Sequence, residues 1–581
     1  MNYILNKYLP RIKFDSYEDF KANFKINVPD DFNFGYDVVD AWAEAEPEKR
    51  ALVWCNDHGE ERIFTFTDVK KISNKMCNYF KSIGLKKGDK VLLIMKRRWE
   101  YWITLTALHK MGVVIIPATF QLTEKDLVYR INAASAKMII CAQDDNIISH
   151  VENSLEQCPT LEFKALVMAK GESRDGWINY TEAYEGQSDV FERPQGEDFV
   201  SANDLMIIYF TSGTTGMPKM VQHVQSYPLG HILTAKYWQQ VEENGLHLTV
   251  ADSGWAKFSW GKIYGQWIAG SANLGYDMDK FEPHKLLSVI EKYRITTFCA
   301  PATMYRFMIK EDVTKYDLSS IHHCCMAGEP LNPAVFEQWE NLTGHKLYEG
   351  FGQTETPVLM ANFEWLNIKP GSTGKPSALY DIHIVNEEGK DCEIGEEGEI
   401  VIKNAKANRP VGLTIGYYND DKANEKLYAG GDFHTGDNAW YDEDGHIWFI
   451  GRVDDVIKCS GYRIGPFEVE SALMTHPSVL ECAITAAPDP VRGQVVKATI
   501  VLAKGYEASE ELKKELQNHV KKVTAPYKYP RIVEFVKELP KTTSGKIRRA
   551  AIRAEENKPL LYAEGVNLSV YTGQALQGRM V

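Results

Sequence analysis

No stretch of this 581-residue chain approaches the roughly 18 apolar residues of a membrane-spanning helix; the longest runs are short, such as Val91 to Met95 and Val113 to Ile116. Cysteine is sparse, with 10 residues and no CxxC spacing, which argues against a disulfide framework or a cysteine-built zinc site and favours a reducing compartment. The neighbours Cys324 and Cys325 read as opposite faces of one strand. Positive charge is not in excess: 66 Lys+Arg stand against 79 Asp+Glu, a net charge of −13 that works against non-specific attraction to nucleic acid or an anionic membrane. The Walker A string G-x-x-x-x-G-K-[ST] does not occur, which weakens a P-loop kinase or ATPase reading. There is no internal repeat and no low-complexity linker. The opening MNYILNKYLPRIKFDSYEDF lacks a signal-peptide apolar core, so a cytoplasmic protein is expected.

What is present is ordinary globular composition, 44% apolar and 25% charged, in a chain long enough for two to four domains of about 150 residues. From about residue 90, β-branched runs (VLLIM at 91, VVIIPA at 113, MIICA at 138) alternate with helical patterns over 99–111 and 123–133. The alternation resumes with LMIIYF at 205, TTFCAP at 296, HHCCMAG at 322 and KLYEGFG at 346. That pattern predicts an α/β fold with largely parallel sheets. After about residue 375, short strand signals between acidic turns predict hairpins or a small β-barrel-like part. Beyond Arg452–Asp455 a compact α+β unit follows, so the expected division is 1–453, a small mobile domain over 454–565, and a tail over 566–581 with no readable role.

Tyr209 to Lys219 reads YFTSGTTGMPK directly after an apolar strand. Gly213 and Gly216 allow tight turns, Thr211, Ser212, Thr214 and Thr215 offer hydroxyl donors to oxyanions, and Lys219 adds a positive charge, a combination suited to phosphate. A plain polar connector is the alternative on composition alone. In Tyr348 to Glu355 (YEGFGQTE) a strand ends in glycines, Phe351 offers a flat apolar face for a purine, and Glu355 is a hard oxygen ligand suited to Mg²⁺. Asp437 lies in a Thr-Gly-Asp turn and could accept from both ribose hydroxyls, although a turn aspartate taken alone is more often simply solvated. Lys546, in TTSGKIR, is an ammonium that could stabilise transition-state charge, although a lysine in a basic tail taken alone is usually a solvated face, and Gly461 in CSGYRIG could let a pantetheine arm pass close to the backbone or simply make a structural turn.

The YFTSGTTGMPK string resembles the phosphate loop of the adenylate-forming superfamily: acyl-CoA synthetases, luciferases and peptide-synthetase adenylation domains. YEGFGQTE, HTGD (434–437), GRVDDVIKCSGYRIGPFE (451–468) and PKTTSGKIR (540–548) match its other signatures in the same order. The resemblance implies that Thr211 to Gly216 and Lys219 hold phosphate, and that Gly328, Glu329 and Pro330 lie against adenine. It places Glu349, Gly350, Phe351, Gly352, Gln353 and Thr354 around adenine and phosphate, Glu355 on Mg²⁺, and Asp437 and Arg452 on the ribose. Lys546, with Thr354 and Glu355, is the implied catalytic set. Asp454 matches the family hinge, and Gly461 and Arg463 belong to the second, CoA-accepting conformation.

The implied reaction is carboxylate plus ATP giving acyl-AMP and pyrophosphate, followed by displacement of AMP by CoA. There is no phosphopantetheine carrier motif and no FDxS-type aspartate for a substrate ammonium; the corresponding stretch, DSGWAKFSWGKIYGQW, most resembles medium-chain acyl-CoA and acetyl-CoA synthetases. Where acetyl-CoA synthetases carry a pocket-closing tryptophan before Gln-Thr-Glu, this chain has Gly352, so the expected acid is longer or bulkier than acetate, aliphatic or branched. Trp255, Phe258 and Trp260 are candidate pocket walls, or equally core aromatics. An aryl-CoA ligase, a luciferase-like oxygenase and a silent ATP-binding module are the alternatives.

Overall fold

The computed structural model describes residues 3–211, 217–459, 462–489, 492–541 and 547–556. Contacts divide the chain into two compact units, Met1–Phe449 and Ile450–Val581, with the division inside the strand Ile447–Arg452.

Among the described residues the large unit holds two extended sheets. One has Val114–Pro117, Lys90–Ile94, Met138–Ala142 and Phe163–Val167 side by side and parallel, as the alternating β-branched runs predict. On its other flank lie Leu205–Thr211, Lys219–Val224 and the two-residue strand Gly416–Tyr417. The second sheet carries Leu246–Thr249, Thr297–Ala300, His323–Ala327 and Leu347–Gly352 in parallel. Cys324 and Cys325 face different hydrophobic cores across this sheet, and all ten cysteines are free and buried. Every residue of the helix Glu100–Met111 is buried, because both of its faces are covered. Its Trp102 ring lies against Gly275 of the second sheet. The helix ends at Gly112, whose φ of +66° sits in the left-handed region that closes helices, and the chain enters Val114–Pro117 of the first sheet.

The acidic-turn region after residue 375 forms a four-stranded antiparallel sheet of Ile382–Val385, Gly398–Ile402, Phe433–Tyr441 and Ile447–Arg452. Residues 14–24 cover a sheet edge, where the sequence leaves an edge cap and an oligomer contact both open. Tyr17 donates to the Pro376 carbonyl at 2.8 Å, and Lys21 donates to the carbonyls of Ser377 and Tyr380 at 2.9 and 3.0 Å. Phe14, Phe20 and Phe24 cluster with Tyr237, and Phe20 reaches Phe363 and Trp365, so a short edge strand is covered instead of exposed.

In the small unit the strands Val479–Asp489 and Gly493–Leu502 pair over their length, Ile532–Val536 adds in parallel, and Ile457–Cys459 with Tyr462–Ile464 completes the sheet. Arg549, on the helix that follows residue 546, grips Glu470 through three bonds of 2.7, 2.8 and 3.2 Å, and Arg553 on the same helix bonds Asp455. Among the described residues no helix is long and apolar enough to cross a membrane.

Candidate active site

Thr211 and Lys219 are register partners in the antiparallel pair that flanks the glycine-rich segment, so the two ends of that segment are held side by side. Ser212, Gly213, Thr214, Thr215 and Gly216 lie outside the described residues, as do Gly461 and Lys546. Arg463 lies on Tyr462–Ile464, opposite Lys458, and its side chain is not among those described.

The Leu347–Gly352 strand brings the next group together. Glu349 is 3% exposed and accepts from the Leu331 amide at 3.3 Å; burial raises its carboxyl from the usual 4.5 to about 8. Gly350 is required by packing, since a β-carbon there would overlap the Trp238 indole. Phe351 faces Phe449 with ring centroids 5.5 Å apart. Gly328 ends the neighbouring strand with φ +100°, and Glu329 accepts from the Thr303 amide at the start of the helix Ala302–Met308.

Gln353 and Asp437, 84 positions apart, meet: the Gln353 amide donates to Asp437 Oδ2 at 2.5 Å and to the Thr435 carbonyl at 2.8 Å. Asp437 is 4% exposed, and the Thr435 hydroxyl accepts from its amide at 3.1 Å. Two motifs that the sequence could only place in order are thus one site. Arg452 belongs to the other unit, 3.7 Å from Asp454.

Three residues that no sequence motif marks hold Thr354 and Glu355. His223 Nε2 donates to the Thr354 carbonyl at 2.8 Å; burial depresses this imidazole to about 3, so it stays neutral with its proton on Nε2. The Thr414 amide donates to the Glu355 carbonyl at 2.8 Å, and the Tyr417 hydroxyl donates to Glu355 Oε1 at 2.9 Å. No local string singles out these three, because each acts across strands distant in sequence. Glu355 is a hard oxygen donor, and among the described residues no group of three or more His, Cys, Asp or Glu gathers for a metal. A lone carboxylate fits Mg²⁺, which keeps waters and takes its other ligands from nucleotide phosphates.

The proposed acyl walls separate. Phe258, fully buried, packs against Tyr101 and Trp102 with centroids 5.1 and 4.8 Å away, as a core aromatic. Trp255 precedes the helix Ala256–Lys262 and is half-buried. Trp260 faces Gly352. A β-carbon on Gly352 would lie 2.2 Å from the edge of the Trp260 indole and 2.6 Å from the Pro357 carbonyl oxygen. At Gly352, the position the sequence reading gave to the acyl pocket, the nearest side chain is thus an indole from another element.

Thr211 and Lys219 paired at the two ends of a hydroxyl- and glycine-rich segment, a buried glutamate, a glutamine–aspartate pair and a separate small unit define a nucleotide-binding α/β enzyme. The chain belongs to the AMP-binding enzymes, whose main domain matches residues 39–418 and whose C-terminal domain matches 468–546, and within them to the acyl-coenzyme A synthetases. It is 42% identical to human mitochondrial acyl-coenzyme A synthetase ACSM3 over 556 residues, 94% of this chain and 93% of that protein. Among solved structures it resembles an anthranilate CoA ligase, AuaEII, in complex with anthranoyl-AMP (TM-score 0.82, 28% identity, 91% and 98% of the two chains). It also resembles the acyl-CoA synthetase of Brucella canis (TM-score 0.71, 29% identity, 94% and 99%).

The Glu349 carboxyl carries a prediction. A carboxyl raised on folding contributes stability that is present below its unfolded value near 4.5 and is lost as pH rises toward about 8. Denaturant titrations at pH 5 to 8.5 should therefore show Glu349→Gln gaining on the wild type by a few kcal/mol, since each tenfold change in proton affinity on folding is worth about 1.4 kcal/mol. A difference independent of pH would refute the buried-acid assignment.

Proposed function

We propose that this enzyme is an AMP-forming ligase that activates a short-to-medium-chain or branched aliphatic acid as acyl-AMP and passes the acyl group to CoA. The observation that carries the reading is the Gln353–Asp437 contact beside Glu355, which joins the purine-side strand to the Thr-Gly-Asp turn at one place. In the first step a carboxylate oxygen bonds to the α-phosphorus of ATP and pyrophosphate leaves. Lys219 meets phosphate charge, the Asp437 carboxylate accepts from ribose hydroxyls, and the Glu349 carboxyl, neutral at pH 7, offers a hydrogen bond to the purine edge. Mg²⁺ on Glu355 would neutralise charge on the phosphates. Lys546 meets the charge developing on the transferring oxygens. In the second step the CoA sulfur attacks the acyl carbonyl carbon and AMP leaves with the bonding pair. Rotation of the 454–565 domain about Asp454 would bring Gly461 and Arg463 into play between the two.

Trp260 over Gly352 supports an acid whose chain runs along the indole face. The likeness to an anthranilate CoA ligase favours, as the second reading, a flat aromatic acid on that same face. Ten free cysteines accord with a reducing compartment, and we place the enzyme in the cytoplasm, whereas ACSM3 is mitochondrial by name. Incubation with ATP, Mg²⁺, CoA and acids from acetate to octanoate, with 2-methylbutyrate and benzoate, tests the proposal by product mass spectrometry. Thioesters peaking between C3 and C8 or at the branched acid are expected. A benzoyl peak would transfer the reading to an aryl ligase, and acyl-AMP without thioester would reject CoA as acceptor.

A further inference from the structure

We propose that Tyr417 is a positioning residue of the adenylation site, set between the phosphate-binding cation and the metal-binding carboxylate. The proposal rests on the roles given above to Lys219 and Glu355. Lys219 Nζ stands 4.5 Å over the centre of the Tyr417 ring, and the hydroxyl of the same ring donates to Glu355 Oε1 at 2.9 Å. The phenol therefore touches both charges at once, one on its face and one at its tip.

The backbone of Tyr417 is held from both sides. Its strand pairs with Lys219–Val224, with Tyr417 opposite Val221. Asn424 accepts from the Tyr417 amide at 2.6 Å and donates to its carbonyl at 2.9 Å. Gly416, with φ +119°, allows Asn424 this approach, since a β-carbon there would meet the Asn424 carboxamide at 2.6 Å. The ring is 6% exposed and has little room to swing away.

Two consequences follow from this placement. An ammonium and a carboxylate at neighbouring positions would ordinarily pair and neutralise each other before a nucleotide arrived. Among the described residues Glu355 takes part in no ion pair, because the phenol stands between the two charges and satisfies each without cancelling it. A cation over the ring face also draws electron density from the phenol, which strengthens the hydroxyl as a donor to Glu355. With Oε1 so engaged, the side chain keeps one orientation and Oε2 is left for the metal.

The test uses nucleotide binding, measured by titration calorimetry without acid so that no turnover occurs. Tyr417→Phe keeps the ring under Lys219 and removes only the hydroxyl. It should weaken MgATP binding by about tenfold, the value of one hydrogen bond to a charged group, while ATP binding in EDTA stays within about twofold of the wild type. Tyr417→Leu removes the ring as well and should weaken both. In the double variant Tyr417→Phe/Glu355→Gln, MgATP should bind no more weakly than in Glu355→Gln alone. The proposal is overturned if Tyr417→Phe binds MgATP as the wild type does, if it loses MgATP and metal-free ATP equally, or if its effect adds in full to that of Glu355→Gln. A wild-type protein that fails to bind MgATP would remove the proposed function itself, an outcome distinct from these three.

Discussion

Trp260→Ala should extend the range of accepted acids by several methylenes and lower stability by about 3–5 kcal/mol, the usual cost of deleting a buried indole. Trp260 is 6% exposed, lies over Gly352, and meets Trp238 edge-on at 6.4 Å. If the ring bounds the acyl chain, the space it leaves can be filled by substrate, and each additional methylene buried is worth about 0.8 kcal/mol, or roughly fourfold in kcat/KM. The readout is the kcat/KM profile over the straight-chain acids, taken on a variant whose melting transition remains cooperative. An unchanged profile would make Trp260 a core residue alone. Gly352 tests the same contact from the other side. Gly352→Ala already places a carbon 2.2 Å from the indole edge and 2.6 Å from a backbone carbonyl oxygen, so even this smallest substitution should lower both stability and activity.

Lys546→Ala should separate the two half-reactions. A positively charged donor that meets charge only in the transition state contributes about 3–4 kcal/mol, so pyrophosphate release should fall by roughly 10²–10³-fold. Thioester formation from supplied acyl-AMP should change little, since that step needs no charge on transferring phosphate. The helix that follows residue 546 is anchored by Arg549 on Glu470 and Arg553 on Asp455. These bonds lie within the small unit and do not involve Lys546, so the truncation should leave the fold intact. Pyrophosphate exchange and acyl-AMP consumption, assayed on one preparation, decide the matter, and equal loss of both would remove Lys546 from the adenylation step.

Much of the architecture was legible because burial on both faces forces continuous β-branched runs: VLLIM, MIICA and HHCCMAG appear as the strands Lys90–Ile94, Met138–Ala142 and His323–Ala327. The site motifs were legible for a different reason. Phosphate and purine chemistry is concentrated in short strings of glycine, hydroxyl and carboxylate residues, so YFTSGTTGMPK and YEGFGQTE stand out locally. His223, Thr414 and Tyr417 did not stand out. Each performs its work across a strand pair or a long loop, and nothing in QHV or TIGYYND marks its partner. The three aromatics of WAKFSW looked alike in sequence, yet Trp260 reaches Gly352 while Phe258 turns into the core beside Tyr101 and Trp102.

The sequence by itself determined the class of fold, the order of the nucleotide motifs and the family to which the chain belongs, because all three are written in local composition and spacing. Tertiary structure alone decided which residues touch. It set Trp260 into the space that glycine leaves at 352, joined Gln353 to Asp437, placed Tyr417 between Lys219 and Glu355, and laid the opening residues along a sheet edge. The physical reason is that contact between distant residues depends on strand order and register, and these follow from the packing of two whole sheets around a shared buried helix, which no local segment specifies.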